Sequence, residues 1–274
     1  MINNLEFDHA DIFDDLAAIQ RQFHHLIRCV PGSGLVLTPP DVPAIEETLD
    51  KGLWTERQTF GIDGGDWQGA LASRDGRQWS LKDPAGVTAA VDWAQLGEHN
   101  ISNALAAGAA AHHVGVPTAQ IAKSLAAFKG VKRRLEVLGD IKGIRVIDDF
   151  AHHPTAIEKT LGALRASIDE GRIIAVIEPR SNTMRLGDHR AALAPSTNQA
   201  DEVLWYQPPN LDWSLDDVVA TSPVPAEVLQ DLTELINRIV AKARNNDVIV
   251  IMSNGGFGGI HQRLLTALRA QHQE

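Results

Sequence analysis

Two stretches of this chain carry more ionisable side chains than packing alone explains. The first begins at Arg133-Arg134-Leu135-Glu136 and resumes, after a short apolar segment (Ile144, Val146, Ile147), as Asp148-Asp149-Phe150-Ala151-His152-His153-Pro154. Adjacent acids closing an apolar strand, with two imidazoles just before a helix start, suit ligand binding, because open α/β sheets bind ligands at the carboxyl ends of their strands. The second stretch, Glu178-Pro179-Arg180-Ser181-Asn182-Thr183-Met184-Arg185-Leu186-Gly187, follows the next strand. An arginine there can hold a carboxylate through two parallel N–H donors, and Asn182 and Thr183 add directional hydrogen bonds.

Three further runs offer weaker chemistry. In Gly97-Glu98-His99-Asn100-Ile101-Ser102-Asn103, the two asparagines lie one helical turn apart on one face. Their amides pair a donor with an acceptor, which suits the edge of an adenine. Ser253-Asn254-Gly255-Gly256-Phe257-Gly258-Gly259 is glycine-rich before a helix, so backbone donors can approach an anion, although the spacing is not that of a dinucleotide fold. Glu6-Phe7-Asp8-His9-Ala10-Asp11 sets a histidine among acids, a pattern open to a metal ion and equally to a solvated loop. Blander readings compete throughout: a surface salt-bridge cluster for 133–153, a polar loop for 178–187, and a helix cap with a packed alanine face for 97–107. A rival chemistry is a metal-dependent hydrolase using Asp148, Asp149, His152 and His153. A third reading is a binding module without catalysis.

The elements that must position these groups follow from periodicity. Residues 1–9 read as the end of a strand, Ile12 to Val30 as a helix, 33–38 as a strand and Val42 to Leu49 as a short helix. From Trp54 to Trp93, short segments broken at Gly64-Gly65, Asp75-Gly76 and Pro84-Ala85-Gly86 predict a small antiparallel sheet. An alanine-rich helix runs from Gly97 to about Val114, another from Pro117 to Phe128, and Lys129-Gly130 is the best linker. Arg133–Glu136 reads as a helix-to-strand junction. Beyond it come strand 144–148, helix 154–168, strand 173–178, helix near 188–194, strand 203–207, helix 225–244, strand 248–252 and helix 260–271. That alternation predicts a parallel, doubly wound sheet.

The runs Arg-Arg-Leu-Glu, Asp-Asp-Phe-Ala-His-His-Pro-Thr-Ala-Ile and Gly-Glu-His-Asn-Ile-Ser-Asn-Ala-Leu-Ala-Ala together resemble the Mur ligases of cell-wall synthesis, over essentially the full length. The Glu-Pro-Arg-Ser-Asn-Thr-Met run resembles the tripeptide-adding, recycling branch of that family. The resemblance implies an α/β fold: a Rossmann-like parallel-sheet domain at 130–274, preceded at 1–129 by the latter part of a central ATP-binding domain with a small antiparallel sheet. It implies ATP-dependent joining of L-alanyl-γ-D-glutamyl-meso-diaminopimelate to UDP-N-acetylmuramate through an acyl phosphate, with ATP and Mg²⁺. His9 would then be a catalytic residue and a magnesium ligand. Nucleotide contacts would come from His99, Asn100, Asn103, Arg134, Asp149 (to the ribose) and His152, with Arg134 and His152 also serving catalysis. Arg180, Asn182, Thr183, Arg185, Asn254 and Gly255 would meet the peptide.

No Gly-x-x-x-x-Gly-Lys-Ser/Thr loop occurs in these residues, although the family cradles ATP phosphates with one. The expectation is therefore a fragment, inactive alone. The 274 residues are 44% hydrophobic and 22% charged, ample for a core. A net charge of −10 argues against a nucleic-acid binder, which needs clustered cations. One cysteine, Cys29, excludes an internal disulfide and fits a reducing cytosol. The polar amino terminus is no signal peptide, and no apolar run approaches the roughly 20 residues a membrane helix needs. A cytoplasmic protein without membrane or nucleic-acid partners is expected.

Overall fold

The computed structural model describes residues 1–271, and the chain divides into two compact α/β units, Met1–Gly130 and Val131–Glu274. The first contains α1 (Leu16–Arg28), β1 (Leu35–Thr38), α2 (Pro43–Leu49), β2 (Glu56–Ile62), β3 (Trp67–Leu71), β4 (Gln78–Lys82), β5 (Thr88–Asp92), α3 (Glu98–His113) and α4 (Thr118–Ala126). Its five strands form one sheet in the order β1-β2-β3-β4-β5. Residues 1–9 form no strand. They are tied to the sheet by the Ile2 N–H donating to the Leu37 carbonyl at 2.9 Å, while Ile2 and Leu5 are buried with α1 and α2.

The sheet is mixed rather than antiparallel. β1 and β2 run parallel, as do β2 and β3, and only β3-β4-β5 alternate in direction. The Asp75-Gly76 and Pro84-Ala85-Gly86 turns do close hairpins. The β2–β3 connection instead folds back through left-handed Asp63 and Gly65, with the Asp66 carboxylate accepting from the Thr59 N–H at 2.7 Å. α3 lies on this sheet through Ile101, Leu105 and Ala109, packed against Phe60, Trp67, Trp79 and Leu81. Gly69 permits that approach, since a Cβ there would meet Ile101 at 2.8 Å.

The second unit contains β6 (Glu136–Ile141), β7 (Ile144–Asp149), α5 (Pro154–Ser167), β8 (Ile173–Ile177), α6 (Asn182–Leu186), α7 (Arg190–Leu193), β9 (Glu202–Tyr206), α8 (Asp216–Ala220), β10 (Ala226–Leu229), α9 (Leu232–Lys242), β11 (Val248–Met252) and α10 (Ile260–Gln271). The strand order is β10-β9-β8-β11-β7-β6. Five strands are parallel, and β6 is an antiparallel edge joined to β7 by a hairpin. β8 (IIAVI) and β11 (VIVIM) are buried at every position, as parallel strands covered on both faces should be.

Several expected elements differ. Arg133–Glu136 is a turn entering β6, with Arg133 and Leu135 at φ of 60° and 51°, not the end of a helix. The helix expected over 225–244 splits. Ala226–Leu229 pairs with β9 as an edge strand, and α9 begins only after Asp231, whose carboxylate accepts from the Glu234 N–H at 2.8 Å. The helix expected near 188–194 is the single turn α7, an unexpected turn, α6, precedes it and ends at left-handed Gly187, and the unassigned stretch 208–224 contains α8. Among the described residues no helix is long and apolar enough to cross a membrane.

Register brings the chemistry together. Met252 of β11 stands beside Asp149 of β7 and Ile177 of β8. The residues that follow each strand, Phe150, Glu178 and Ser253, therefore emerge along one edge. The ladder extends past them: the Glu178 N–H donates to the Met252 carbonyl at 3.0 Å, and the Ser253 N–H to the Asp149 carbonyl at 3.1 Å.

Candidate functional site

In the first unit a cavity of about 500 Å³ opens between α3 and α4. Its walls are apolar (Trp93, Ala107, Val116, Ile121, Leu125, Phe128), and its polar groups include Asn100, Asn103 and Gln95. Such a shape suits a flat, mostly apolar ring read by a few amides. Asn100 Nδ2 donates to the Leu96 carbonyl at 2.8 Å, and Asn103 Oδ1 accepts from Asn3 Nδ2 at 2.6 Å. His99 is half-buried in the first turn of α3 and does not line the cavity. His9 does not line the cavity either; it stands at φ of 57° with its side chain 68% exposed and 4.0 Å from Asp8.

In the second unit the organising group is Arg133. Its Nε donates to Asp148 Oδ2 at 3.2 Å, and its Nη2 donates to the carbonyls of Ser253 (2.5 Å) and Gly255 (2.8 Å). Asp148 Oδ1 faces His261 Nε2 at 3.1 Å. Ser253 Oγ donates to the buried carboxylate of Glu178 at 2.5 Å and accepts from the Gly255 N–H at 3.0 Å. The glycine run is thus clamped from both sides. Arg180, itself exposed, lies across Gly255 so closely that a Cβ there would overlap its side chain.

Asp149 is 3% exposed. Its Oδ2 accepts from the Leu135 N–H at 2.7 Å, and its Oδ1 from the Ala151 N–H at 2.8 Å and the Thr160 hydroxyl at 3.4 Å. Burial raises its pKa above the usual carboxylate value, against those hydrogen bonds and the nearby charge of Arg134. In this conformation the carboxylate holds the turn that carries Arg134. Arg133 and Arg134 both sit over the Phe150 ring, at 5.1 and 5.3 Å. His152 Nδ1 lies 2.9 Å from the Phe150 carbonyl, and His153 caps α5 by accepting from the Thr155 N–H. Asp148, Asp149, His152 and His153 thus face different partners, and the described residues contain no group of three acidic, His or Cys side chains placed to hold a metal.

A second cavity, of about 340 Å³, is lined by Glu178, Arg180, Tyr206, Pro208, Asn210 and Phe257. It brings one carboxylate, one guanidinium and a phenol together with apolar Pro208 and Phe257. Burial, then Glu178 and Asp231, push the Tyr206 pKa up and keep it a hydrogen-bond donor. Of the other expected residues, Asn182 is exposed at the start of α6, Thr183 is buried, and Arg185 Nε donates to the Asn210 carbonyl at 3.2 Å. Asn254 is half-buried, with its Oδ1 buried and unpaired.

Sequence reasoning missed roles for Arg133, Glu178, Ser253, Tyr206 and His261. Glu178 and Ser253 carried a usable signal, since each directly follows an apolar strand. Tyr206 and His261 carried none.

Two family models match the chain: the Mur ligase middle domain over residues 1–111, and the Mur ligase glutamate ligase domain over 133–255. A UDP-N-acetylmuramate–L-alanyl-γ-D-glutamyl-meso-2,6-diaminoheptandioate ligase from Escherichia coli is 47% identical over 269 residues, covering 98% of this chain and 59% of the relative. A murein peptide ligase structure from Psychrobacter arcticus superposes with a TM-score of 0.72 at 46% identity, over 93% of this chain and 55% of that one. A MurF ligase structure from Thermotoga maritima, in complex with ADP, shares the fold alone, with a TM-score of 0.75 at 16% identity over 99% of this chain and 61% of that one. The chain thus spans somewhat more than half the length of the relatives it matches.

Proposed function

The chain belongs to the Mur ligase family, and from that premise we propose that it serves the ATP-dependent joining of a muramyl carboxylate to the amine of L-alanyl-γ-D-glutamyl-meso-diaminopimelate, in cytoplasmic peptidoglycan recycling. The observation that carries this reading is the convergence of three parallel strand ends on one edge, where Glu178 and Arg180 share a cavity beside the clamped Ser253–Gly255 loop. A peptide ending in a free amine and carboxylates needs such a pair: the carboxylate of Glu178 for the ammonium, the guanidinium of Arg180 for a carboxylate. The proposal gives Arg180, Asn182, Arg185, Asn254 and Gly255 to this acceptor side. Thr183, being buried, holds α6 in place.

The first unit takes the nucleotide base in the cavity beside Asn100 and Asn103, where apolar walls and two side-chain amides suit an adenine. His99 lies one residue before that face. When bound, ATP supplies the phosphoryl group that activates the donor carboxylate. The chain's own residues position and neutralise: Arg134, exposed on the turn that Asp149 fixes, offers a cation to phosphate or ribose, and His152 packs against the same Phe150 ring. Chemistry of this kind needs oriented partners and offset charge more than a covalent nucleophile. His9 would contribute one imidazole to magnesium, but the described residues assemble no three-ligand set around it. With no Gly-x-x-x-x-Gly-Lys-Ser/Thr run in the sequence, the 274 residues bind substrates without turning them over.

Calorimetric titration with the tripeptide, with and without Mg·ATP, tests the reading. Saturable peptide binding that Arg180→Ala abolishes is the expected result. Binding unaffected by Arg180→Ala would move the acceptor site elsewhere. Efficient ligation by this chain alone would overturn the claim that it lacks turnover.

A further inference from the structure

Resting on the acceptor-site reading above, we propose that His261 is a positioning residue for the acceptor loop: by engaging the second oxygen of Asp148, it keeps that carboxylate from taking Arg133 Nη2, the group that holds Ser253–Gly255.

A guanidinium offers Nε–H and one Nη2–H side by side, and a carboxylate favours taking both. This chain shows that arrangement at the opposite end of the same sheet. Arg172, just before β8, donates from Nε to Asp247 Oδ1 at 3.1 Å and from Nη2 to Asp247 Oδ2 at 2.6 Å. Arg133 and Asp148 meet through one bond only, Nε to Oδ2 at 3.2 Å. Arg133 Nη2 goes instead to the carbonyls of Ser253 and Gly255, at 2.5 and 2.8 Å.

Asp148 Oδ1, the oxygen that would compete for Nη2, lies 3.1 Å from His261 Nε2. Both atoms are buried, and among the described residues neither has a hydrogen bond to another group. The approach is oblique, outside the geometry of a full hydrogen bond, so its pull is electrostatic and modest. The neutral Nε2–H tautomer and the imidazolium both present a donor there. His261 stands in the first turn of α10 with its side chain 17% exposed, so little water can replace it. Without the imidazole, Asp148 turns Oδ1 onto Nη2, as Asp247 does with its own arginine. The two carbonyls then lose their donor. The loop so released is the one that Arg180 lies across and that holds Glu178 through Ser253 Oγ. His261 does not line the acceptor cavity and acts through Asp148 and Arg133.

The test is tripeptide calorimetry together with hydrogen exchange of the ligand-free 274-residue chain, for His261→Leu and His261→Gln. Leucine keeps the bulk and removes the donor, whereas the glutamine amide restores one. His261→Leu should weaken the peptide about fivefold and speed exchange at the Gly255 and Gly256 amides about fivefold, while the amides from Leu264 to Leu268 keep their rates. His261→Gln should return both readouts to those of the unmodified chain. In an Asp148→Asn background, His261→Leu should change neither, because asparagine has one acceptor oxygen and Arg133 Nε already takes it.

Unchanged loop exchange in His261→Leu, no rescue by His261→Gln, or an undiminished effect in the Asp148→Asn background overturns the proposal. Faster exchange along α10 in place of the loop also overturns it, since that marks a residue that only packs the helix. If the leucine variant does not fold, His261→Ala takes its place with the same expected direction. If the unmodified chain binds no tripeptide, the acceptor-site reading fails, and loop exchange still decides whether His261 positions the loop.

Discussion

The two units solve ligand positioning in opposite ways. In the first, neutral amides on one helix line an apolar cavity, and each is held by a single hydrogen bond. In the second, charged groups are locked into a continuous network, Asp148–Arg133–Gly255–Ser253–Glu178, whose members come from three strand ends and the turn entering β6. A neutral amide loses little when one bond goes, because water replaces it. A buried carboxylate or carbonyl deprived of its partner keeps its full desolvation cost. The first site should therefore be tunable and the second brittle.

The largest expected effect tests that brittleness. Arg133→Ala leaves two carbonyls without their donor and Asp148 without its guanidinium, and should cost the second unit about 3 kcal/mol in urea unfolding. Asn100→Ala in the first unit should cost under about 1 kcal/mol by the same measurement. Similar losses for the two would erase the contrast.

Gly255→Ala comes next. The atoms nearest the added methyl all belong to the Arg180 side chain, which has solvent to move into. Peptide affinity should fall about tenfold while stability stays within about 0.5 kcal/mol, as for substitutions that spare the core. Loss of fold instead of affinity would show that Arg180 braces the loop.

The smallest effect is a difference in pH response. Burial opposes ionisation of Asp83, but hydrogen bonds from Thr118, Val87 and Ala85 win and hold its pKa below the usual value. Its contribution to the first unit is present above about pH 4 and fades as pH falls through the lowered value. For Asp149 burial wins and the pKa is raised. Its contribution to the second unit is full below about pH 4 and is lost as pH rises through the raised value. Hydrogen exchange followed unit by unit from pH 3 to 6 should show protection rising more steeply in the first unit. Parallel slopes would mean that other carboxylates dominate both.

These differences also decide what could be read before the fold was known. The amide pair of α3 is legible because helical spacing alone puts residues 100 and 103 on one face. The parallel core is equally legible, since IIAVI and VIVIM are continuous apolar runs flanked by helical periods. The Arg133 clamp is not: Arg133 and Ser253 stand 120 residues apart and meet only because β11 enters the sheet between β7 and β8. β10 and β6 were missed for a related reason. An edge strand pairs on one side only, so Ala226–Leu229 has a pattern too short to stand out from the helix that follows.

What the sequence determined by itself is local: which segments are apolar, where helices start, and which groups follow each strand. Family resemblance could be read from the same contiguous runs. Only the tertiary structure decided which of those groups share a site, and which face of an amide or carboxylate is left for a ligand. The reason is geometric. Periodicity fixes a side chain's direction relative to its own element, whereas its partners depend on the order in which strands enter the sheet, and no local pattern encodes that order.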